Sequence, residues 1–179
     1  MPALTFVRAC IAEAALHGAS VARPAPDERE TGDEGGHETG DAFTLGSITL
    51  RAAQRDTLRQ VRRAVAEFGG ALLADEPGLG KTFVALAFAR ARGEPLVIAP
   101  AALRVMWHDA AARAATPIEF VSFERLSRAE PAMRRGVVIV DEAHHAGARA
   151  TARYPRLARL CAGAELLLLS ATPVRNRRA

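Results

Sequence analysis

The chain has 179 residues, 49% of them apolar, and a formal net charge of +4, which suits one domain of ordinary size with a small appendage and excludes a disordered or fibrous chain. No apolar run approaches the roughly 18 residues of a membrane span, Arg8 and Glu13 interrupt the N-terminal stretch that a signal peptide would need, and Cys10 and Cys161 give neither a disulfide framework nor a metal spacing. Reduced thiols and a cytoplasmic location are the expectation.

The charge is uneven along the chain. Residues 1–46 carry three arginines and eight acids, a net of −5, whereas residues 47–179 carry 21 basic and 12 acidic residues, a net of +9. The pattern divides the chain into an N-terminal segment, 1–46, and a basic unit, 47–179, and such a unit fits a polyanionic partner. Residues 3–17 show Leu4, Val7, Ile11, Ala14 and Ala15 at helical spacing, which predicts a short helix ended near Gly18. From 23 to 41 the sequence is rich in Pro, Gly, Asp and Glu with little to bury, so a flexible linker is expected.

Order resumes at Phe43. Residues 50–68 repeat apolar side chains (Leu58, Val61, Val65, Phe68) at three- and four-residue steps and close on Gly69-Gly70, the signature of an amphipathic helix. A buried strand over 71–74, a glycine-punctuated turn and a helix over 82–90 follow. Residues 96–99 form the next apolar run, ended by Pro100. Residues 101–115 read as a helix with Leu103, Met106, Trp107 and Ala110 inward, and packing accounts for the single tryptophan. Strand 118–122 and a short helix over 123–129 precede a turn between Pro131 and Gly136. Strand 137–140 runs into Asp141-Glu142-Ala143-His144. After a basic segment (Arg149, Arg153, Arg156, Arg159), strand 166–169 runs into Ser170-Ala171-Thr172-Pro173.

Five continuously apolar strands alternating with helices predict an α/β fold, a mostly parallel sheet covered on both faces. In such a sheet ligands bind outside the C-terminal strand ends. The polar signatures all fall there: Glu76 to Thr82, Pro100, Ser122, Asp141 to His144, and Ser170 to Thr172.

Their chemistry is that of nucleotide phosphates. Gly78 and Gly80 permit a tight turn whose N–H groups converge on phosphate oxygens, with Glu76, Pro77 and Leu79 completing the loop. Lys81, the only lysine among 24 basic residues, can reach the outer phosphates, and the Thr82 hydroxyl can ligate Mg2+. Asp75 stands where the strict phosphate-loop pattern has its first glycine. Asp141 offers a carboxylate to a hard divalent cation, and Glu142 can orient or deprotonate a water attacking the γ-phosphate. His144 suits a hydrogen-bonding link between this site and neighbouring loops better than a metal ligand, because adjacent histidines diverge and no Cys/His cluster matches them.

Gln54, Ala-Asp-Glu-Pro-Gly-Leu-Gly-Lys-Thr, Leu-Val-Ile-Ala-Pro with Trp107 downstream, Asp-Glu-Ala-His, and Leu-Leu-Ser-Ala-Thr-Pro-Val-Arg-Asn stand in the order and spacing of a known set. Over residues 48–179 the chain resembles the first RecA-like lobe of a superfamily-2 DEAH-box helicase, most of all the Swi/Snf-type DNA translocases. The resemblance implies a RecA-like P-loop NTPase three-layer sandwich that uses ATP and Mg2+ and acts on nucleic acid, double-stranded DNA in particular. It implies that Gln54 reads the adenine, that Ser170, Ala171 and Thr172 couple nucleotide state to nucleic acid, and that Pro100, Ala101, Ser122 and Phe123 lie where the DNA backbone is touched. A helicase of this kind also needs a second RecA-like lobe to bring arginine fingers to the ATP. That lobe is expected outside residues 1–179, supplied in trans or missing from a partial gene product, so the lobe is expected to be catalytically incomplete alone. Two other readings stay open at this point: a ring-forming AAA+-type ATPase, and a non-enzymatic nucleotide-binding module or gene fragment.

Overall fold

Leu96–Ala99 and Val137–Val140 are apolar at every position and buried at every position, which is what a strand covered on both faces requires. The computed structural model of the chain describes residues 37–39, 42–74, 78–129, 136–145, 151 and 153–170. The helix expected over 3–17, most of the linker expected over 23–41, and Glu76, Pro77, Ala171 and Thr172 lie outside the described residues.

The strands are β1 (His37–Thr39), β2 (Ala42–Leu45), β3 (Ile48–Leu50), β4 (Gly70–Leu73), β5 (Leu96–Ala99), β6 (Glu119–Ser122), β7 (Val137–Val140) and β8 (Glu165–Leu169). The helices are α1 (Ala52–Phe68), α2 (Lys81–Arg90), α3 (Arg104–Arg113), α4 (Phe123–Leu126) and α5 (Arg153–Cys161). Strands β4 to β8 form one five-stranded sheet in the order β4-β8-β7-β5-β6, and all its pairings are parallel. This is the doubly covered α/β sheet the apolar runs predict.

Alternation along each strand divides the core in two. Val97, Ala99, Val137, Ile139, Leu167 and Leu169 join one cluster with side chains of α1, α2 and α3. Leu96, Ile98, Val138, Val140, Leu166 and Leu168 join the other with α4 and α5. The result is three layers, helix–sheet–helix, with every C-terminal strand end of the parallel sheet along one edge.

The structure departs from the sequence expectation in several places. Composition predicts a linker through Asp41, but His37–Thr39 is a strand, and β1, β2 and β3 form an antiparallel sheet across residue 46. Phe43, Leu45 and Leu50 are buried in the first cluster, so this short apolar alternation is held by packing despite acidic surroundings. The basic segment after Arg149 contains α5, whose Tyr154, Leu157, Leu160 and Cys161 are buried while its arginines turn outward or lie half-buried; Pro155 is tolerated because it sits in the first turn, where no intrahelical N–H bond is lost. Met106 and Phe68, placed on inward faces by their spacing, are exposed. Both lie at the margin of a helix face whose neighbours, Trp107 and Val65, take the core positions. Among the described residues, no helix is long and apolar enough to cross a membrane.

Candidate active site

Between β4 and α2 the backbone at Gly78 and Gly80 adopts φ of +85° and +79°, a region that costs an L-residue roughly 1–2 kcal/mol. The two glycines serve different ends. A Cβ on Gly80 would stand 2.2 Å from Gln54 Nε2, whereas a Cβ on Gly78 would have nothing within 4 Å. Gly80 thus admits a close neighbour, and Gly78 faces open space. The N–H groups of Phe83 and Val84 donate to Gly80 O at 3.0 and 3.3 Å. The N-cap of α2, Gly80, has no side chain to cap the helix, so its first-turn donors and partial positive charge suit an anion.

Gln54 fastens α1 to this loop. Its Oε1 accepts the Arg51 N–H at 2.9 Å and its Nε2 donates to Leu79 O at 3.0 Å. The residue the family resemblance assigns to adenine therefore already uses one lone pair of its amide oxygen and one N–H on protein groups, with a lone pair and an N–H left over from these two bonds. Lys81 and Thr82, the first residues of α2, are half-buried beside it. Thr82 opens on a groove of about 610 Å³ between α2 and α3 that Phe83, Met106 and Arg113 also line.

Asp141 follows β7 directly, and its N–H donates to Ile98 O at 2.9 Å, extending the β5–β7 ladder by one bond. Its carboxylate is held at both oxygens: Trp107 Nε1–H donates to Oδ2 at 3.0 Å and the Glu142 N–H donates to Oδ1 at 2.8 Å. Burial pushes the Asp141 carboxyl above its usual range. The Trp107 and Glu142 donors oppose that shift, the Glu142 carboxylate adds to it, and the Lys81 ammonium pulls it down. Trp107 is fully buried, and packing alone does not describe it. Nothing in the sequence links positions 34 residues apart, and only the sheet order places α3 above the end of β7.

Glu142 carries φ of +49°, a left-handed conformation unusual for a non-glycine and typical of functional turns. Its Oε2 lies 3.1 Å from His144 Nδ1, which also lies 3.3 Å from Ser170 Oγ. The Ser170 N–H donates to Leu73 O at 3.1 Å. The ends of β4, β7 and β8 are therefore joined through Leu73, Ser170, His144 and Glu142.

At the other side of the sheet, Ala99 and Ser122 are register partners, so Pro100, Ala101, Ser122 and Phe123 meet at one place. Their side chains do not all face solvent there: Ser122 and Phe123 are 5% and 2% exposed. Ser122 Oγ accepts the Arg125 N–H at 3.1 Å to cap α4. The Ala101 N–H donates to Glu124 Oε2 at 3.2 Å. The Glu124 carboxyl is held below its usual range, first by its own backbone N–H and then, against a small burial cost, by Ser122 and Ala101. This corner presents an anionic carboxylate, a feature the sequence motifs do not announce.

Comparison with known proteins decides the family. Residues 106–175 match the family described as the type III restriction enzyme, res subunit. The SWI/SNF-related matrix-associated actin-dependent regulator of chromatin subfamily A-like protein 1 of Xenopus tropicalis is 34% identical over 159 residues, covering 74% of this chain and 16% of the relative. Its Bos taurus counterpart is 33% identical over 143 residues, covering 65% of this chain and 15% of the relative. The chain is a first RecA-like lobe of the superfamily-2 helicases. Within that superfamily this lobe has Swi/Snf similarity. It spans about one sixth of the length of the curated relatives it matches. Solved structures share its fold: the Sulfolobus solfataricus SWI2/SNF2 ATPase core in complex with dsDNA, with a TM-score of 0.64 and 19% identity over 75% of this chain and 34% of that one, and the UvsW helicase from bacteriophage T4, with a TM-score of 0.53 and 15% identity over 73% and 56%.

Proposed function

We propose that this lobe binds ATP with Mg2+ at the C-terminal strand ends and forms one side of a DEAH-box, ATP-driven translocase acting on double-stranded DNA. The observation that carries the reading is the linkage of Glu142, His144 and Ser170 across the ends of β7 and β8, beside an Asp141 carboxyl on which the Lys81 ammonium acts. Bound Mg2+-ATP supplies the γ-phosphoryl group and a cation that neutralises its charge. Toward it, the loop around Gly78 and Gly80 and the first turn of α2 offer N–H donors, with Glu76 and Pro77 part of the same loop. Lys81 offers a point charge, and Thr82 and Asp141 offer oxygens. The two donors on Asp141 hold its carboxylate in one orientation, which leaves lone pairs on both oxygens for a cation. Glu142 is the base or orienting group for water, positioned through His144. Ser170, with Ala171 and Thr172 in the same motif, carries the state of this site toward the nucleic-acid side, where Pro100, Ala101, Ser122 and Phe123 gather. Gln54 holds the loop in shape and keeps one N–H for the adenine.

Phosphoryl transfer depends mainly on positioning and on neutralising charge in the transition state. An arginine finger contributes roughly 10³–10⁵ in rate where one is used, and we assign that group to a second RecA-like lobe outside residues 1–179. The 179-residue chain is expected to bind Mg2+-ATP yet to hydrolyse it far more slowly than about 1 s⁻¹, with little stimulation by DNA. A phosphate-release assay with and without duplex tests this. DNA-stimulated turnover at or above that rate would place a complete catalytic set in this chain and refute the division between lobes.

A further inference from the structure

The strand-end corner that the helicase motifs point to buries Ser122 and Phe123 and exposes Glu124 beside Arg104 and Arg125, so its charge is mixed. A second concentration of positive charge lies on α1. Arg51, the N-cap of α1, and Arg55, Arg59 and Arg63 within it recur at four-residue steps, with Arg62 beside them. At 3.6 residues per turn these five arginines fall within about 120° of arc, on one flank of the buried Leu58–Val61–Val65 face. The acids of the helix, Asp56 and Glu67, lie beyond that arc, although Asp56 reaches back to pair with Arg59 at the surface. The opposite flank is uncharged: Thr57, Gln60, Ala64 and Phe68 line the groove between α1 and β4. Such segregation on a single helix gives a flank rich in positive charge, with Asp56 at its edge.

The flank is ordered at its base and open at its crest. Arg55 Nη1 donates to Leu50 O at 3.0 Å, and the Arg62 guanidinium lies 5.9 Å over the Phe43 ring. Arg51, Arg59 and Arg63 are exposed. Four-residue steps place Cα atoms about 6 Å apart along the axis, about 18 Å from Arg51 to Arg63. That length equals about five base-pair steps measured along the duplex axis at about 3.4 Å each. A membrane surface is a poorer fit, because the apolar face of α1 is buried in the core and cannot insert beside the arginines.

We propose that the arginine flank of α1 is a second nucleic-acid contact surface, which takes the phosphate backbone of double-stranded DNA along the helix. The inference rests on the reading of this lobe as DNA-acting and adds a surface at the β4 edge of the sheet, away from the β5 and β6 ends. Because Gln54 ties the start of α1 to Leu79 of the phosphate loop, a strand held there runs up to the nucleotide site.

The test is fluorescence anisotropy of a labelled duplex of about 20 base pairs with the full 179-residue chain, titrated between about 50 and 200 mM salt. Arg59→Gln with Arg63→Gln is expected to weaken binding roughly tenfold at low salt. The slope of log affinity against log salt should fall by about 1.8, or about 0.9 for each phosphate no longer neutralised. The paired Lys substitutions are expected to restore most of both, since a point charge suffices for a phosphate. Circular dichroism and Mg2+-ATP affinity report whether the double variant is folded. Should it unfold, Arg63→Gln alone carries the test, with a slope reduced by about 0.9. Wild-type binding with unchanged affinity and slope in the folded Gln variants overturns the α1 surface and leaves the DNA-acting reading standing. A wild-type chain that does not bind the duplex at low salt overturns both.

Discussion

Trp107 Nε1 donates to Asp141 Oδ2 at 3.0 Å from a fully buried indole. The bond joins α3 to the end of β7 and fixes the direction of the carboxylate assigned to Mg2+. Trp107→Phe keeps an aromatic ring in the core and removes the donor. A hydrogen bond to a charged group is worth roughly 1.5–3 kcal/mol, so Mg2+-dependent ATP affinity should fall about 10- to 100-fold. Binding measured in excess chelator should change much less. Equal losses with and without Mg2+ would reduce Trp107 to a packing residue.

Asp141→Asn separates stability from function. A carboxyl whose folded value is raised binds its proton more tightly in the folded chain than in the unfolded one. The nucleotide-free protein therefore loses stability as pH rises from the ordinary carboxyl value through the raised one. Asn carries no charge to desolvate. Its amide nitrogen cannot accept, so one of the bonds from Trp107 and Glu142 is lost. Without Mg2+, the melting temperature of the variant relative to wild type should nevertheless rise as pH climbs from the ordinary carboxyl value to neutrality. Its Mg2+-ATP binding should be lost. Thermal denaturation of both proteins across acidic to neutral pH checks the sign.

Glu142→Gln preserves size and one hydrogen-bonding oxygen while removing the base. Wherever the lobe hydrolyses ATP with its partner lobe present, turnover should drop by roughly 10²-fold or more with nucleotide affinity kept. Single-turnover hydrolysis and equilibrium binding on the same preparation distinguish this from a metal-binding role, in which affinity would fall first.

Gly80→Ala should destabilise the fold by about 1–2 kcal/mol from its positive φ alone, and more because the new methyl meets Gln54 Nε2. Adding Gln54→Ala should relieve the clash but not the backbone cost. Chemical denaturation of the single and double variants measures both parts.

The parallel sheet was legible because strands covered on both faces are continuous apolar runs, and Leu96 to Ala99 or Val137 to Val140 admit little else. Phosphate-loop chemistry was legible because G-x-G-K-T compresses its signal into a few residues. Strand order was not, since β8 inserts between β4 and β7 through contacts that no local pattern encodes. The β1–β3 sheet hid in strands of three or four residues among acids and glycines. Helix α5 hid behind Arg153, Arg156 and Arg159, although Tyr154, Leu157, Leu160 and Cys161 mark its buried face. Trp107 and Glu124 act on the site through partners 34 and 23 residues away, Asp141 and Ala101. Separations of that kind become visible only when the sheet closes.

Calorimetric titration of Mg2+-ATP into the wild-type chain and into Lys81→Ala tests the nucleotide site most directly, with circular dichroism confirming that both are folded. Lys81 begins α2 half-buried at the surface of the loop, not in either core cluster, so its loss should spare the fold. The predicted result is saturable binding to the wild type and an affinity roughly 10- to 100-fold weaker for the variant, the worth of one charge-assisted contact to phosphate. Unchanged affinity in a folded Lys81→Ala, or no binding to the wild type, would contradict the assignment of these strand ends to ATP.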